Sequence, residues 1–464
     1  MNDHHPNRLA LVLPVATGAL ATAAVMWSIG FLTHLPGLQA PAVVTGLLLA
    51  VAHLAGGFLM ARSAPTRPVA TAVASGFFAG LINLLVLGMF LAEDPSGDQP
   101  DTTTAVAGYL VFTLFVSGIG GLLGAAKRPD ASPETDPSAW RFRLALASVL
   151  ACTPVVLTGG LVTSHEAGLA VPDWPTSFGA NMFLMPVRLM TGGIYYEHAH
   201  RLFGTLAGLG TLILTLGILF TEPRKHMKVL AVAAFVFVCV QGVLGGLRVE
   251  TAEEPGGDWQ TAVQVESLVT QQDVPNNFAP TIDVGTSVAL AMVHGITAQL
   301  FYASLICIAA MLSARWLRGR SEGALADRFL RTASLALVAV LTLQLVLGAG
   351  TRHFDMHPAF MHTHISIGAL AALVLTLLVG GRAAAKHAHE PVLKRLGKGI
   401  THAVFLQVVL GVVVWVVLLL NKDVEGERPV FEVLLASAHQ AVGVALLSLA
   451  SLITLWTHRL TPAS

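Results

Sequence analysis

Four histidines share one sequence context and could together bind iron. His200 and His364 lie in the similar segments HAHRLFGTLAGL and HTHISIGALAAL. His294 and His439 lie in a second similar pair, MVHGITAQL and SAHQAVGVAL. Each is followed four residues later by a small residue, respectively Gly204, Gly368, Ala298 and Gly443. On a helix that residue lies one turn away on the same face, so a flat macrocycle has room beside the imidazole. The pattern predicts two sites in which a pair of histidines supplies both axial ligands of a haem iron.

The alternative interpretation of any one such histidine is structural. A lone histidine in a membrane helix is usually a satisfied polar residue or lies at the interface, and small residues are common at helix contacts. Four repeat-related positions at one membrane depth favour ligands instead. The other histidines fit no ligand pattern: His198 and His362, expected to pack beside the sites; His353 and His357, in an outer loop; and His387, His389 and His402, expected to be solvated on the cytoplasmic side.

One carboxylate distinguishes the two halves of the repeat. Glu197 precedes His200 by three residues, which places both on one helix face, whereas Met361 stands at the matching position before His364. An ionisable group at the rim of the apolar zone is costly and usually functional, although an exposed interfacial carboxylate is the simpler alternative. The asymmetry predicts that the half containing Glu197 is the reacting site.

The outer loop before Glu197 and three arginines extend this site. The loop HEAGLAVPDWPTSFG, residues 165–179, holds Asp173 and Trp174 between two prolines, and such a rigid turn could cap a pocket. Arginines at the outer ends of helices are predicted to pair with porphyrin propionates, with interfacial snorkelling as their alternative role. These propionate candidates are Arg201, Arg248 and Arg352.

The composition indicates which kind of fold must position these residues. Hydrophobic residues make up 54% of the 464 residues and charged residues 12%, with a mean hydropathy of +0.70, which excludes a water-soluble surface. The chain has 27 Lys and Arg residues and 27 Asp and Glu residues, so it lacks the net positive charge typical of a protein that binds nucleic acid. The expected partner is the lipid bilayer. The three cysteines lie in separate apolar runs, without a metal or disulfide spacing.

Twelve apolar runs are long enough to cross a bilayer core of about 30 Å. We therefore predict an all-α polytopic membrane protein with about twelve transmembrane helices. The runs lie near residues 9–33, 41–61, 70–92, 104–126, 141–163, 195–220, 226–248, 284–313, 328–351, 359–380, 395–420 and 430–457.

Loop charges predict the orientation of these helices. Every second loop carries Lys and Arg, and the intervening segments AEDPSGDQPD, VETAEEPGGDWQ and NKDVEGERP are acidic or mixed. Because Lys and Arg accumulate on the cytoplasmic side, both termini are expected to be cytoplasmic. The first run is long enough to span, so it is expected to be a retained helix rather than a signal sequence, which favours the inner (cytoplasmic) membrane of a prokaryote. The basic loop residues are Arg62 and Arg67; Lys127, Arg128, Arg141 and Arg143; Arg224, Lys225 and Lys228; Arg315, Arg318 and Arg320; and Arg382, Lys386, Lys394 and Arg395.

A second repeated element predicts the domain organisation. QGVLG at Gln241–Gly245, QLVLG at Gln344–Gly348 and QVVLG at Gln407–Gly411 recur in three helices, and with the histidines they relate two groups of four helices in parallel. We predict two pseudo-symmetric four-helix bundles, over residues 140–313 and 328–460. Residues 1–130 form four additional membrane helices of unknown role.

These residues resemble a known family. The GLAVPDWP loop, the ExxHR element at Glu197 to Arg201, the QxxLG helices and the single histidines that open helices eight and twelve are similar to haem A synthase, a membrane enzyme of cytochrome oxidase assembly. The resemblance covers about residues 140–460. The chain departs from many bacterial relatives because its first outer core loop has no cysteine pair, and the four helices before residue 130 are additional.

The resemblance implies roles for the histidine pairs. Haem O would be the substrate, its C8 methyl oxidised to a formyl group between His200 and His294 with the help of Glu197 as the catalytic residue. His364 and His439 would hold a haem b cofactor in the C-terminal half. Haem O synthase is a candidate partner, together with an unidentified membrane redox partner.

Two other classes of protein stay open at this stage. A dihaem b-type membrane electron-transfer protein would use the same ligands without oxidising a substrate; Glu197 and the PDWP loop argue against it. A twelve-helix transporter would have broken helices with polar groups at the midplane, whereas the notable polar residues here gather at the outer rim.

Overall fold

The structure, a computed structural model, describes residues 8–91, 102–128, 136–252, 285–318, 327–354, 356–421 and 428–460. The regular structure of these residues is helical apart from one isolated β-bridge between Ser177 and Ala180, which confirms the predicted all-α polytopic membrane fold. Arg320 and most of the acidic segments fall outside the described residues. Twelve helices are long and apolar enough to cross a membrane: α1 (Arg8–Thr33), α2 (Ala42–Ser63), α3 (Pro68–Leu91), α4 (Thr102–Ala126), α5 (Pro137–Ser164), α6 (Gly192–Thr221), α7 (Lys225–Glu250), α8 (Gly285–Leu312), α9 (Arg328–His353), α10 (Pro358–Ala385), α11 (Pro391–Leu420) and α12 (Val430–Leu460).

Two helices begin before the apolar runs that predict them. Helix α5 starts at Pro137 rather than at 141, because the side chain of Asp136 accepts a hydrogen bond from the backbone N–H of Ser138, 2.8 Å away, and caps the helix. Helix α11 starts at Pro391 rather than at 395. Proline suits the first turn because it needs no N–H partner there and its φ is already helical.

Helices α1 to α4 pack closely through glycine. Gly120 and Gly124 of α4 lie against the backbone carbonyls of Leu54 and Phe58 of α2, so close that neither position has space for a side chain. Small residues four apart allow two membrane helices to approach at their backbones, where dispersion contacts are densest. The N-terminal segment is therefore a tightly packed unit.

Helix α1 joins this unit to the helices that follow. The Phe31 ring stacks on Tyr195 of α6 with 5.3 Å between centroids, and it meets Phe203 edge-on at 5.8 Å. The Tyr195 hydroxyl donates to the Phe31 carbonyl, and Leu20 packs 3.3 Å from the position of a Cβ on Gly210. Buried side chains from α1 to α3 and from α5 to α8 form one continuous core. Of the additional helices, α1 thus packs directly on α5 and α6.

Two four-helix units follow. Helices α5, α6, α7 and α8 contact one another in a closed ring, and α9, α10, α11 and α12 do the same around a second core. The units meet where α12 packs on α5 and α8. At the outer end of this contact Arg352 donates to the Thr163 carbonyl at 2.6 Å, and the hydroxyls of Ser437 and Ser164 are 3.3 Å apart.

At the opposite ends of the helices, buried carboxylates form ion pairs with basic side chains. Glu222, after α6, accepts a hydrogen bond from Arg224 at 2.7 Å and forms an ion pair with Arg141 at 3.0 Å. Burial raises the pKa of Glu222, but the hydrogen bonds and charge of Arg224 and the charge of Arg141 outweigh it and lower the pKa overall. Asp327 caps α9 and accepts from Arg382 at 2.8 Å and from His387 Nε2 at 2.7 Å. The prediction that His387 is solvated is wrong, because this contact buries the ring.

Candidate functional site

The four predicted ligand histidines form two pairs in the structure. His200 of α6 faces His294 of α8 with 6.2 Å between ring centroids and 85° between ring planes. His364 of α10 faces His439 of α12 at 6.4 Å and 84°. The two pairs are therefore alike in both spacing and orientation.

Each imidazole rests on a glycine of the preceding helix. A Cβ at these glycines would lie 3.1, 3.4, 3.0 and 2.9 Å from Cε1 of His200, His294, His364 and His439, respectively. The absence of a side chain lets each ring lie flat against the neighbouring helix. The glycines are Gly159 of α5, Gly245 of α7, Gly348 of α9 and Gly411 of α11; the last three end the QxxLG elements. Each ring also interacts with the backbone four residues before its glycine, at Val155, Gln241, Gln344 and Gln407.

The spacing of the pairs fits haem. A metal–imidazole bond of about 2 Å, with the ring centroid about 1.1 Å behind the nitrogen, would place the centroids of two imidazoles that share an iron about 6.2 Å apart. The observed 6.2 and 6.4 Å agree with this value. Within the part of the chain that the structure describes, no three His, Cys, Asp or Glu side chains cluster as metal ligands. A two-ligand site of this kind suits an iron whose other four ligands come from a macrocycle.

The clearance beside the rings differs between the two halves. Nothing approaches within 4 Å of a Cβ built at Gly204 or Gly208, so the face of α6 below His200 is open as predicted. At Gly368 the matching space holds the side-chain amide of Gln344, whose Nε2 donates to the His364 carbonyl at 3.1 Å. At Gly443 it holds that of Gln407.

Gln407 also reaches the ring nitrogen that would bind iron. Its Nε2 lies 3.2 Å from Nε2 of His439. A haem between His364 and His439 requires Gln407 and Gln344 to rotate away, which long flexible side chains can do. The π-helical turn His364–Gly368 begins at one of the predicted ligand histidines, and such turns are frequent at functional sites.

Glu197 is buried and fully engaged beside His200. Its Oε1 accepts from Arg201 Nη2 at 2.7 Å and its Oε2 accepts from the backbone N–H of Val171 at 2.8 Å. The exposed interfacial carboxylate considered above is therefore wrong, because only 4% of Glu197 is accessible. The matching residue of the other half, Met361, can make neither contact.

Arg201 fastens the outer loop. Besides Glu197, its Nη atoms donate to the backbone carbonyls of Val171 at 2.9 Å, Asp173 at 2.6 Å and Thr176 at 3.0 Å. These four bonds use all of its Nη hydrogens. Arg201 thus links the loop to the helix turn that carries His200. In the structure it binds loop carbonyls and Glu197, which differs from the predicted role as a propionate partner.

The loop itself is closed by Asp173 and seated by Trp174. The Asp173 carboxylate accepts from the backbone N–H groups of Phe178 at 2.6 Å and Gly179 at 2.8 Å. The Trp174 indole lies against Gly246, where it leaves no space for a side chain. Gly246 adjoins Gly245, which carries the His294 ring. The loop therefore spans from α6 to α7 across the outer side of the His200–His294 pair.

The other two predicted propionate arginines lie at the outer rim. The Arg248 guanidinium lies against Gly168 of the same loop. Arg352 is held by the Thr163 carbonyl and lies 3.5 Å from Glu166. His198 is buried below the loop with Nδ1 3.3 Å from the Ser177 hydroxyl, whereas His362 is exposed.

Comparison with known proteins identifies the central part of the chain. Residues 142–364 match the model of a family described as cytochrome oxidase assembly protein; this range includes Glu197, His200 and His294 and ends at His364. Heme A synthases of Listeria monocytogenes and Listeria innocua are 34% identical over 99 residues, which is 21% of this chain and 30% of each relative. The chain thus matches less than a third of the length of these curated relatives. No solved structure matches the chain significantly. Residues 142–364 are thus similar to a family of cytochrome oxidase assembly proteins, and part of the chain is similar to heme A synthases.

Proposed function

We propose that the protein is a haem A synthase that oxidises the C8 methyl of haem O to a formyl group. His200 and His294 would hold the iron of the substrate, and His364 and His439 would hold a haem b cofactor. The observation that carries this proposal is the asymmetry of two otherwise matching pairs. His200 of the N-terminal pair has open space below its ring, a buried carboxylate one turn away and a loop fastened over it, whereas Gln344 and Gln407 fill the matching spaces in the C-terminal half.

The residues around the substrate have separate tasks in this proposal. The histidines orient the macrocycle, and Glu197 holds or moves a proton at its carboxylate as the methyl is oxidised. The loop closed by Asp173 and Arg201 excludes water from the outer side, and Arg248 and Arg352 at the outer rim are the candidates to contact propionates. Bound haem b would supply one-electron chemistry, and His364 and His439 are the residues that would hold it.

The direct test is haem analysis in cells that make haem O but no haem A. Expression of the full chain is expected to convert haem O into haem A, and His200→Ala or His294→Ala to prevent this while protein levels persist. If the chain binds haem but yields no haem A with a working electron partner, the dihaem electron-transfer function replaces the enzyme.

The haem b assignment has its own test. His364→Ala and His439→Ala are each expected to abolish low-spin b-type absorbance from the C-terminal half, because each removes one of two axial ligands. His402→Ala is the matched control, since His402 is exposed on α11 away from the pairs. Unchanged spectra in both ligand variants would contradict the assignment.

We also propose that the chain lies in the inner membrane of a prokaryote with both termini cytoplasmic. The basic clusters around Glu222 and Asp327 lie at the helix ends opposite the histidine pairs, which fits the positive-inside rule. Haem O synthase then supplies the substrate within the same bilayer. Fusions of a periplasm-active and a cytoplasm-active reporter after residue 464 test the orientation, because only one of the two should be active.

A further inference from the structure

One of the four ligand histidines differs in what its second ring nitrogen meets. The hydroxyl of Thr158 lies 3.3 Å from Nδ1 of His200. Nδ1 of His294, His364 and His439 is buried and has no such side-chain partner. The two histidine pairs are otherwise matched, so this hydrogen bond sets His200 apart.

The sequence shows that the difference is one substitution within a repeated position. Thr158 immediately precedes Gly159, on which His200 rests. The residue before each of the other three glycines is leucine: Leu244, Leu347 and Leu410. Leucine is a common apolar residue of membrane helices, but its side chain has no group that can form a hydrogen bond with an imidazole.

The direction of the hydrogen bond follows from the other contacts of Thr158. Its hydroxyl lies 2.9 Å from the Pro154 carbonyl, one turn earlier on α5. A hydroxyl has one proton and two lone pairs, so the proton goes to this carbonyl and a lone pair faces His200. Nδ1 of His200 is therefore the N–H donor, and its Nε2 is left as the bare nitrogen that can bind iron.

We propose that Thr158 is a positioning residue of the reacting site, which gives Nδ1 of His200 a side-chain partner and so strengthens Nε2 as an iron ligand in the N-terminal half. An outer hydrogen bond of this kind makes a ligating imidazole more basic, and its removal typically costs about 10-fold to 100-fold in affinity or activity. The inference rests on the proposed function, because it takes His200 and His294 as ligands of the substrate haem.

The test compares Thr158→Val, which has the same shape without the hydroxyl, with Thr158→Ser, which keeps it. Both are made in the full chain carrying His364→Ala and His439→Ala, so that the only haem read is the one at the His200 pair. Thr158→Val is expected to weaken haem binding by about 10-fold to 100-fold and to raise the midpoint potential, because a weaker donor stabilises ferric iron less. Thr158→Ser is expected to restore both quantities towards the parent.

A reciprocal substitution tests whether the effect belongs to this position. Leu347→Thr, in a chain with intact His364 and His439 and with His200→Ala and His294→Ala, gives the C-terminal histidine the same partner. Its haem is expected to shift to lower potential. This shift would not follow if Thr158 only filled space.

The outcomes separate this inference from the function on which it rests. Haem at the His200 pair with the same affinity and potential in Thr158→Val would overturn the role of Thr158 and leave the proposed function standing. Absence of haem from the His200 pair in the parent protein would overturn both.

Discussion

Glu197 and Arg201 form a buried ion pair one helical turn long, with Oε1 of the glutamate 2.7 Å from Nη2 of the arginine. Both side chains also bind the backbone of Val171. Glu197 accepts a hydrogen bond from the Val171 N–H, and Arg201 donates one to the Val171 carbonyl. An i,i+4 pair on a helix surface is worth little, but this pair is desolvated and hydrogen-bonded to a loop. The carboxylate three residues before His200 is therefore a structural anchor as well as an acid on the helix of the candidate reacting site.

Two substitutions separate these roles. Glu197→Gln removes the titrating group, but its amide oxygen can still accept a hydrogen bond and Arg201 keeps its three carbonyl partners. If the carboxylate acts in general acid-base catalysis, haem binding survives and haem A formation falls by about 10² to 10⁴. Haem extraction measures the product, and hydrogen exchange over residues 165–179 measures the loop.

Arg201→Lys is the matched variant, because it keeps a positive charge beside Glu197 but loses the planar fork that reaches three carbonyls. We expect faster hydrogen exchange in the loop and a smaller loss of haem A than with Glu197→Gln. Equal loosening of the loop and equal loss of product in both variants would mean that Glu197 is only an anchor.

The glycines under the four rings predict a graded series of defects. A methyl group at Gly411 would lie only 2.9 Å from His439 Cε1, which is too close. A methyl group at Gly245 would lie 3.4 Å from His294 Cε1, which is an ordinary van der Waals distance. Gly411→Ala is therefore expected to destabilise its site by about 1–3 kcal/mol through overpacking and to lower haem occupancy, with Gly348→Ala close behind and Gly245→Ala mildest.

Gly242→Ala is the control for this series, because nothing lies within 4 Å of a Cβ at that position of α7. Haem-to-protein ratios and thermal unfolding of the purified variants provide the ranking. A defect in Gly242→Ala as large as that in Gly411→Ala would show that helix propensity, not the ring contact, dominates.

The helices and the histidine pairs were predictable from the sequence because both depend on periodicity. Apolar runs of fixed length define spans, and a repeated histidine with a small residue four positions later defines a helix face. Gly159 was missed because its helix has Val155 where the other three have glutamine, so the QxxLG pattern is absent there. The signal that could have identified Gly159 was its place in the repeat, directly after Thr158.

Contacts between distant segments were not predictable in the same way. His387 was expected to be solvated because it lies in a charged loop, but Asp327, 60 residues earlier, buries it. The amides of Gln344 and Gln407 enter the space below the C-terminal rings from neighbouring helices, and a pattern read along one helix cannot show this. The partners of Arg201 are likewise backbone carbonyls, which leave no trace in residue type.

The orientation of the ring planes predicts a spectroscopic signature. Imidazole planes at 85° and 84° give the iron dxz and dyz orbitals nearly equal interactions with their axial ligands. Low-spin ferric haem at either pair is therefore expected to show a highly anisotropic electron paramagnetic resonance spectrum dominated by one large g value. Protein carrying His200→Ala and His294→Ala, or His364→Ala and His439→Ala, isolates each site, and a rhombic spectrum typical of parallel planes would contradict the geometry.

The carboxylate of Asp327 predicts how stability depends on pH. Burial raises its pKa, but hydrogen bonds from Arg382, the backbone N–H of Leu330 and His387 outweigh this and hold the pKa well below its ordinary value of 3.8. A carboxyl whose pKa is lower in the folded state contributes stability that is fully present above the unfolded value and is lost as the pH falls towards the folded one. Asp327→Asn keeps the helix cap, since asparagine caps as well as aspartate, and removes the charge. We expect it to lower stability by about 1–3 kcal/mol near neutral pH, with the gap to the parent narrowing below pH 3.8.

Lys386→Gln is the control for this effect, because its ammonium lies 3.5 Å from Asp327 and its side chain is 55% exposed. Exposed pairs contribute about 0–1 kcal/mol, so this variant should unfold almost like the parent at every pH. Thermal unfolding in detergent between neutral and acidic pH measures both variants. The same gap between Asp327→Asn and the parent at all pH values, or an equal loss in Lys386→Gln, would mean that the buried charge is not what stabilises the junction between α9 and α10.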